Sequence, residues 1–447
     1  MPASHIEVHL GVLPRGAVHR RNDGPRKENK SLTRVLLLAV FWLLAVFARP
    51  VWAGAGPVFS ETGPDAAAYG AAEGYPVGSR AVPVPQFSMV GTYSHFSEKY
   101  PHRIVARAPA PSALTRSDQE LPLTYTHGGR SHDLADYLSR HPTTGLLIAR
   151  GGTILFEHYQ YARTDRDRML SMSMAKTIVA MLMGIAVQEG AIRSIDQPAA
   201  DYVPALAGTE YGTTPIRALL HMASGVKFKE VYDAPGDNQR LSAMLFGRFN
   251  PGPAQAVAMF NTREVAPDTR FHYAGAETEV LGLVLTAAVK MPLTEYLRTR
   301  IWQPMGAEAD ATWTIDTTGQ KVAYCCVTAV LRDWARLGLM LAGDGAWNGR
   351  QIVPRQWVLD ATTVQAPFLR PGTATRFFGY GYQTWLFPGP RRQFAFRGIH
   401  GQAIYVDPAS KLVLVHTAVR LKASNDPAAV ELRAVWAALV ASQGGGP

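Results

Sequence analysis

A chain of 447 residues, 47% hydrophobic and 18% charged, has enough apolar material to bury a large core, and these fractions exclude disorder as its default state. Its formal charge of +10 suggests an acidic partner only until the charge is located. Residues 1–53 hold 8 basic against 3 acidic side chains, and the remainder holds 37 against 32 with no Lys/Arg stripe or RNA-binding motif, so nucleic acid is not an expected partner.

Val35 to Ala48, VLLLAVFWLLAVFA, is an unbroken apolar run of 14 residues after a basic region and before Arg49, Pro50 and Val51-Trp52-Ala53-Gly54. Signal peptides have this order of parts. The run is shorter than the roughly 20 apolar residues that a spanning helix needs. Cleavage after Ala53 and export to the periplasm or medium are expected, with retention as a membrane anchor through residues 35–48 as the alternative. Arg20-Arg21 lacks the apolar residues that follow a twin-arginine signal. Export leads to an oxidising compartment, yet the chain has only Cys325 and Cys326, side by side, so a disulfide scaffold is excluded. Adjacent cysteines bridge only through unusual local geometry, and two small buried side chains are expected instead.

From Gly54 to His132 the chain is rich in Ala, Gly and Pro without a sustained period, and residues 54–132 read as an exposed leader and extended wrapping segment. Within it Pro85 to Val105 is more aromatic and is expected to pack on the domain. Regular structure is predicted from Asp133, where Leu134, Tyr137 and Leu138 form a helical stripe. Gly145 to Ala149, the turn Arg150-Gly151-Gly152 and Thr153 to Tyr159 predict a β-hairpin, and no Gly-Lys-Ser/Thr follows the glycines to make a phosphate loop. Helical patterns cover Met172 to Glu189, Thr214 to Met222, Glu277 to Lys290, Leu293 to Trp302 and Val330 to Leu341. Gln402 to Val406, the turn Asp407 to Ser410 and Lys411 to Val415 predict a second hairpin. Asp426 as N-cap and Pro427 at the first helical position then open a helix to about Ala441, leaving 442–447 as a flexible tail. Strands at both ends with helices between predict an α+β domain over 133–441: an antiparallel sheet built from N- and C-terminal parts, flanked by helices, with an inserted helical subdomain.

Ser173-Met174-Ala175-Lys176 is a Ser-x-x-Lys tetrad at the start of the helix predicted from Met172. A spacing of three places both side chains on one helical face, about 5–6 Å apart at Cβ. Thr177 to Val187 is almost wholly apolar, which predicts burial on every side. Burial strips water from an ammonium and lowers its pKa, making Lys176 a base for the neighbouring hydroxyl. The helix N-terminus adds a field that favours developing negative charge. The tetrad alone is equally compatible with Ser173 capping the helix while Lys176 reaches to solvent, so its surroundings must decide.

Those surroundings are Ser171-Met172-Ser173-Met174-Ala175-Lys176-Thr177, Gly190 after the helix, Ile195-Asp196-Gln197-Pro198 and Tyr202-Val203-Pro204. Together they resemble the β-lactamase and penicillin-binding-protein superfamily, in its branch of large serine esterases and amidases. The resemblance covers about Asp133 to Ala441 and points to 6-aminohexanoate-dimer hydrolases and related carboxylesterases. It implies a β-lactamase-like fold and a serine nucleophile at Ser173. In that family a Tyr-x-Asn motif supplies the second base, and Tyr273-Ala274-Gly275 stands in the matching place. Tyr273 is then the phenol that shares a proton with Ser173 and Lys176, while Gly275 replaces the usual Asn and puts the orientation of a substrate amide in question. A third, strand-borne motif is matched by Ile399-His400-Gly401-Gln402 before Ile404 to Pro408. The resemblance implies an oxyanion hole from the amides of Gln402 and Ser173, close backbone approach at Gly401, and His400 orienting either the substrate or Tyr273. It also implies that Tyr232, in Glu230-Val231-Tyr232-Asp233, contacts an amide substrate. Leu219 to Gly225 and Arg332 to Gly338 match the family as structural stretches.

No cofactor is implied, and neither His127 with His132 nor His400 with His416 has a third partner at metal-ligand spacing. The sequence therefore predicts an exported serine hydrolase that cleaves a small-molecule ester or amide through an acyl-enzyme on Ser173. A β-lactamase or D-alanyl peptidase is the first alternative. It lacks the usual cation at Ile399, the nearest being Arg397. A non-catalytic module of the same fold is the second, favoured by Gly275.

Overall fold

The structure is a computed structural model, and it describes residues 56–80, 83–232 and 234–444. The expected signal segment and its cleavage site lie outside the described residues, as does the end of the expected tail. The strands that organise the fold are, in chain order, β1 (Val58–Phe59), β2 (His102–Val105), β3 (Thr115–Arg116), β4 (Thr143–Arg150), β5 (Thr153–Tyr159), β6 (Met169–Leu170), β7 (Ala311–Thr314), β8 (Val327–Ala329), β9 (Gly379–Tyr380), β10 (Trp385–Leu386), β11 (Phe394–Gly398), β12 (Gln402–Asp407) and β13 (Leu412–Ala418). The helices that matter for the site are α1 (Met89–Ser94), α2 (Ala175–Gln188), α3 (Gly275–Val289), α4 (Leu331–Ala342), α5 (Arg355–Ala361) and α6 (Ala428–Gln443).

Both predicted hairpins are present, as β4–β5 and β12–β13, and they are joined edge to edge by the antiparallel pairing of β13 with β4, Val415 opposite Leu147. The larger sheet runs β1-β5-β4-β13-β12-β11-β10-β9, with β3 also pairing with β5. It is antiparallel throughout except that β1 and β3 run parallel to β5. Residues of β4 alternate between two apolar layers: Leu146 and Ile148 join the cluster that contains Leu432, Val435 and Trp436 of α6, and Leu147 and Ala149 join the cluster that contains α2 and α4. Every one of these β4 side chains is buried, because helices cover both faces of the sheet. This is the α+β arrangement that the sequence predicts.

A second antiparallel sheet, β2-β7-β8-β6, stands at the junction between the helical insertion and the larger sheet. Its strand β6 lies just upstream of Ser171, and its strand β2 lies within the region expected to be a wrapping segment. Regular structure thus begins well before Asp133. All six residues of α1 are buried, and β1 and β3 extend the main sheet. These pieces are two to six residues long, too short to display a period in sequence, and their burial comes from what they lie against.

Other boundaries move for local reasons. The helix predicted over Thr214 to Met222 contracts to Ile216–Leu220 behind Pro215, and that over Leu293 to Trp302 starts as α-helix and opens into a π turn from Arg298. Asp426 does cap the last helix, its carboxylate accepting from the Ala428 amide at 2.8 Å. The cysteines depart from expectation. Both are buried, at 8% and 5% exposure, but they form a Cys325–Cys326 disulfide in place of two free thiols. The backbone supplies the unusual geometry: Cys326 is left-handed at φ 72°, and its carbonyl accepts from both the amide and the hydroxyl of Thr314, at 3.2 and 3.1 Å.

Helix α2 is buried from Ala175 to Ala186, as its apolar run predicts. Its tightest contact is with Trp357 of α5, whose indole N–H donates to the Ala180 carbonyl at 2.9 Å. A Cβ on Gly184 would stand 2.3 Å from that indole ring. Gly184→Ala gains nearly 1 kcal/mol of intrinsic helix propensity but overpacks the interface by about 1–3 kcal/mol. The variant is expected to have a lower urea midpoint than the wild type with an unchanged slope.

Candidate active site

The site starts at the end of β6. The Ser171 amide donates to the Val327 carbonyl at 2.8 Å, and the Val327 amide donates to Ser171 Oγ at 3.0 Å, so the chain is clamped before it turns. Met172 then takes a left-handed φ of 44°, and a 3-10 turn, Met172–Met174, leads into α2. This corner projects Ser173 from the helix start, while Lys176 follows one turn later. Lys176 Nζ donates to Ser173 Oγ at 3.2 Å and to the Tyr324 carbonyl at 2.8 Å. The lysine is 2% exposed, so the solvent-reaching alternative is excluded. Burial pulls its pKa down to about 8, against the opposing charges of Glu230 and Glu279, which favour the ammonium.

Tyr273 precedes α3 and stands beside Ser173. Lys176 Nζ is 5.2 Å from its ring centroid and 5.3 Å from that of Tyr324. Burial, and then the charge of Glu230, raise the Tyr273 pKa; its neighbours Ser173 and Arg397 oppose them. Its ring stacks on Trp385 of β10 at 5.4 Å. Ser173, Lys176 and Tyr273, 100 residues apart in sequence at the extremes, thus meet in one cluster.

Glu230 fills the space beside Gly275. Its Oε2 accepts from the Gly275 amide at 2.6 Å and its Oε1 from the Tyr232 hydroxyl at 2.6 Å. A Cβ at position 275 would come within 3.3 Å of the carboxylate. Tyr232 therefore stands at the site, held there by Glu230, and the position where the family pattern has a side-chain amide is occupied by a carboxylate from another loop.

The third motif is displaced from its expected place. The strand against the nucleophile turn is β11, where a Cβ on Gly398 would lie 2.5 Å from the Ser171 carbonyl oxygen and 2.9 Å from Met172 Cβ. Gly398 pairs with Gln402 across the turn Ile399–Gly401. Gln402 is buried on the next strand inward, its side-chain amide donating to the Ala418 carbonyl at 2.7 Å. Gly401, at φ 97°, fits tightly against Ala418 and Arg420, and its carbonyl accepts from His416 Nδ1 at 2.6 Å. His400, also left-handed at φ 62°, pairs its Nδ1 with the Arg420 carbonyl at 2.7 Å and packs edge-on against Tyr93. These three residues fasten the strand end, and the close approach to the nucleophile falls to Gly398. Among the described residues, the amide N–H groups of Ser173 and of Ile399, which follows Gly398, donate to no protein acceptor.

Sequence reasoning missed four participants: Glu230, Tyr324, Gly398 with Ile399, and the placement of Arg397. The Arg397 guanidinium lies 4.4 Å from the Phe378 ring centroid and 5.0 Å from that of Trp385, with no carboxylate in ion-pair contact among the described residues. Counting back from Asp407-Pro408 by strand alternation was the available signal for Gly398; the loop glutamate and the Tyr324 carbonyl had none. The stretches read as structural are so: the Ser224 hydroxyl donates to Glu277 at 2.7 Å, and Asp333 caps the Glu308 and Ala309 amides at 2.9 and 3.0 Å.

A Ser/Lys/Tyr cluster with a buried lysine at the start of a largely apolar helix, faced by a strand of an antiparallel sheet, defines the serine-lysine class of penicillin-recognising folds. The match of residues 132–438 to the Beta-lactamase family model agrees, and the chain belongs to that family. A 6-aminohexanoate-dimer hydrolase of Paenarthrobacter ureafaciens is 30% identical over 297 residues, 64% of this chain and 75% of that protein. Among solved structures, a Bacillus anthracis protein assigned as a 6-aminohexanoate-dimer hydrolase superposes with a TM-score of 0.72 at 22% identity, covering 81% of this chain and 95% of that one. A family VIII carboxylesterase superposes with a TM-score of 0.53 at 16% identity, covering 67% and 93%. The protein is a hydrolase of the β-lactamase superfamily, related to the 6-aminohexanoate-dimer hydrolases.

Because the Glu230 charge favours the Lys176 ammonium, removing it lowers the lysine pKa further. Glu230→Gln is expected to move the rising limb of the kcat–pH profile to lower pH than in the wild type. A profile that stays in place would remove Glu230 from the electrostatics of the base.

Proposed function

We propose that the protein hydrolyses an ester or amide through an acyl-enzyme on Ser173. The observation that carries this reading is the contact of Ser173 Oγ with a buried lysine whose pKa lies near 8. Neutral Lys176 takes the Ser173 proton as Oγ bonds to the substrate carbonyl carbon. The unpartnered amides of Ser173 and Ile399 receive the oxyanion, which is where acyl transfer gains most, about 10²–10³-fold per donor. The proton passes through Tyr273 to the departing alcohol or amine, and water then attacks the acyl carbon by the same route in reverse. Tyr232, on the Glu230 side of the cluster, borders the leaving-group end. The reading includes export, which is supported by the apolar run before Ala53, in the form of a signal segment, and by a disulfide that accords with an oxidising compartment.

Activity is expected to rise with pH through about 8, since the ammonium below that value has no lone pair to accept the proton. Lys176→Arg keeps the charge but not the base, and should lose about 10²–10⁴-fold in kcat. Ser173→Ala should fold normally and lose both turnover and labelling by a fluorophosphonate probe. Labelling mapped to another serine would overturn the assignment.

Arg397 favours a second reading. A half-buried guanidinium near Tyr273 that stacks on two rings and has no acidic partner among the described residues is suited to a substrate carboxylate, such as that of a β-lactam. Its burial pulls it below the usual guanidinium range, a cost that an incoming anion would offset. With Gly275 in place of a side-chain amide, short p-nitrophenyl esters are nevertheless expected to have a larger kcat/KM than a chromogenic cephalosporin, measured on one preparation with Ser173→Ala as blank. The reverse ranking, abolished by Arg397→Ala, would establish the cell-wall reading.

A further inference from the structure

The segment Ala323–Val327 contacts Lys176 near one end and Ser171, two residues before Ser173, at the other. At one end, the Ala323 amide donates to Glu279 at 2.8 Å, and the Tyr324 carbonyl accepts from Lys176 Nζ at 2.8 Å. At the other, Val327 exchanges two hydrogen bonds with Ser171, at 2.8 and 3.0 Å, two residues ahead of the nucleophile. Between these anchors lie only Cys325 and Cys326, and they are bonded to each other. The Tyr324 side chain is tied separately, its hydroxyl meeting Ser242 Oγ at 3.0 Å. The lysine's carbonyl acceptor and the serine's clamp are therefore spaced by an eight-membered covalent ring that leaves the intervening peptide little freedom.

We infer that the Cys325–Cys326 disulfide is a positioning element of the catalytic pair, fixing the peptide that presents the Tyr324 carbonyl to Lys176 while the same strand clamps Ser171. Opening the ring frees the backbone between the two anchors. The carbonyl can then leave Lys176, and the ammonium loses the acceptor that aims its lone pair at Ser173 after deprotonation. Opening requires two electrons and two protons: a dithiol such as dithiothreitol attacks one sulfur, closes to its own cyclic disulfide, and leaves two cysteine thiols. Reoxidation reverses the step. Both cysteines are buried, at 8% and 5% exposure, so a small reductant reaches them through local opening of the strand. The inference rests on the assignment of Lys176 as the base of the proposed reaction.

The test uses the full chain, oxidised, reduced with dithiothreitol and reoxidised, with thiols counted by Ellman's reagent after denaturation. Ester kcat, KM and the kcat–pH profile are measured for each state, with Ser173→Ala as blank and a thermal melt to confirm folding. Reduction is expected to lower kcat by about tenfold or more, less than the roughly 10²-fold loss that a 1 Å misplacement can produce, and to displace the pH limb while KM changes little. Reoxidation should restore all three. A folded Cys325→Ser, Cys326→Ser double variant should show the reduced-state kinetics and no response to dithiothreitol. If Ser173-dependent turnover is absent from the oxidised protein, the functional assignment fails rather than this inference. If turnover is present and neither the reduced protein nor the folded double variant changes kcat or the pH limb, the disulfide is not a positioning element. Should the double variant fail to fold, the reduced and reoxidised wild type decides the matter, and should the native disulfide resist reduction, the double variant does.

Discussion

The Lys176 ammonium sits 3.2 Å from Ser173 Oγ in a helix whose first twelve residues are all buried, where a cation taken out of water costs several kcal/mol unless polar groups replace its solvent. Much of the surrounding architecture answers that requirement incompletely and in a specific way. The lysine receives one backbone carbonyl, that of Tyr324, and the fields of Glu230 and Glu279 from beyond direct contact. That supply is enough to hold the side chain in place and too little to restore its ordinary basicity, so the lysine gives up its proton at about 8, well below the usual range.

The partners that produce this balance come from distant parts of the chain. Tyr273 is delivered by the turn into α3, Glu230 and Tyr232 by the preceding loop, and Gly398 by the strand β11. The main sheet makes their meeting reproducible. Its N- and C-terminal hairpins pair along β4 and β13, and the apolar layers on both faces fix where α2 and α4 sit against it. The small sheet performs the complementary task by tying Ser171 to Val327, so the nucleophile turn is anchored to both sheets through different backbone contacts.

The replacement of a side-chain amide by Gly275 does not leave a void. The Glu230 carboxylate occupies the space, accepts from the glycine amide and orders Tyr232. This exchanges a neutral hydrogen-bonding group for an anion near the lysine, and with it the electrostatic balance of the proton carriers. Arg397 acts on the Tyr273 phenol in the opposite sense to Glu230.

Much of this was legible in the sequence where a period or a fixed spacing carried it. The apolar run after Lys176 determined a buried helix, the three-residue spacing determined that Ser173 and Lys176 share a face, and strand-turn-strand patterns determined both hairpins, because each is a property of a single contiguous element. The resemblance carried by those elements also named Tyr273, whose ring centroid lies 5.2 Å from Lys176 Nζ. It failed at the third motif, where Gly398 was passed over for Gly401: both glycines bracket one tight turn, and only the packing of β11 on the Ser171 corner tells which faces the nucleophile. Tertiary structure alone decided that Glu230 fills the place beside Gly275, that the Tyr324 carbonyl holds the lysine, and that Cys325 and Cys326 are bonded. The first two contacts join residues 45 and 148 apart in sequence, the third turns on the backbone conformation at Cys326, and all depend on how packed elements meet, which no local period records.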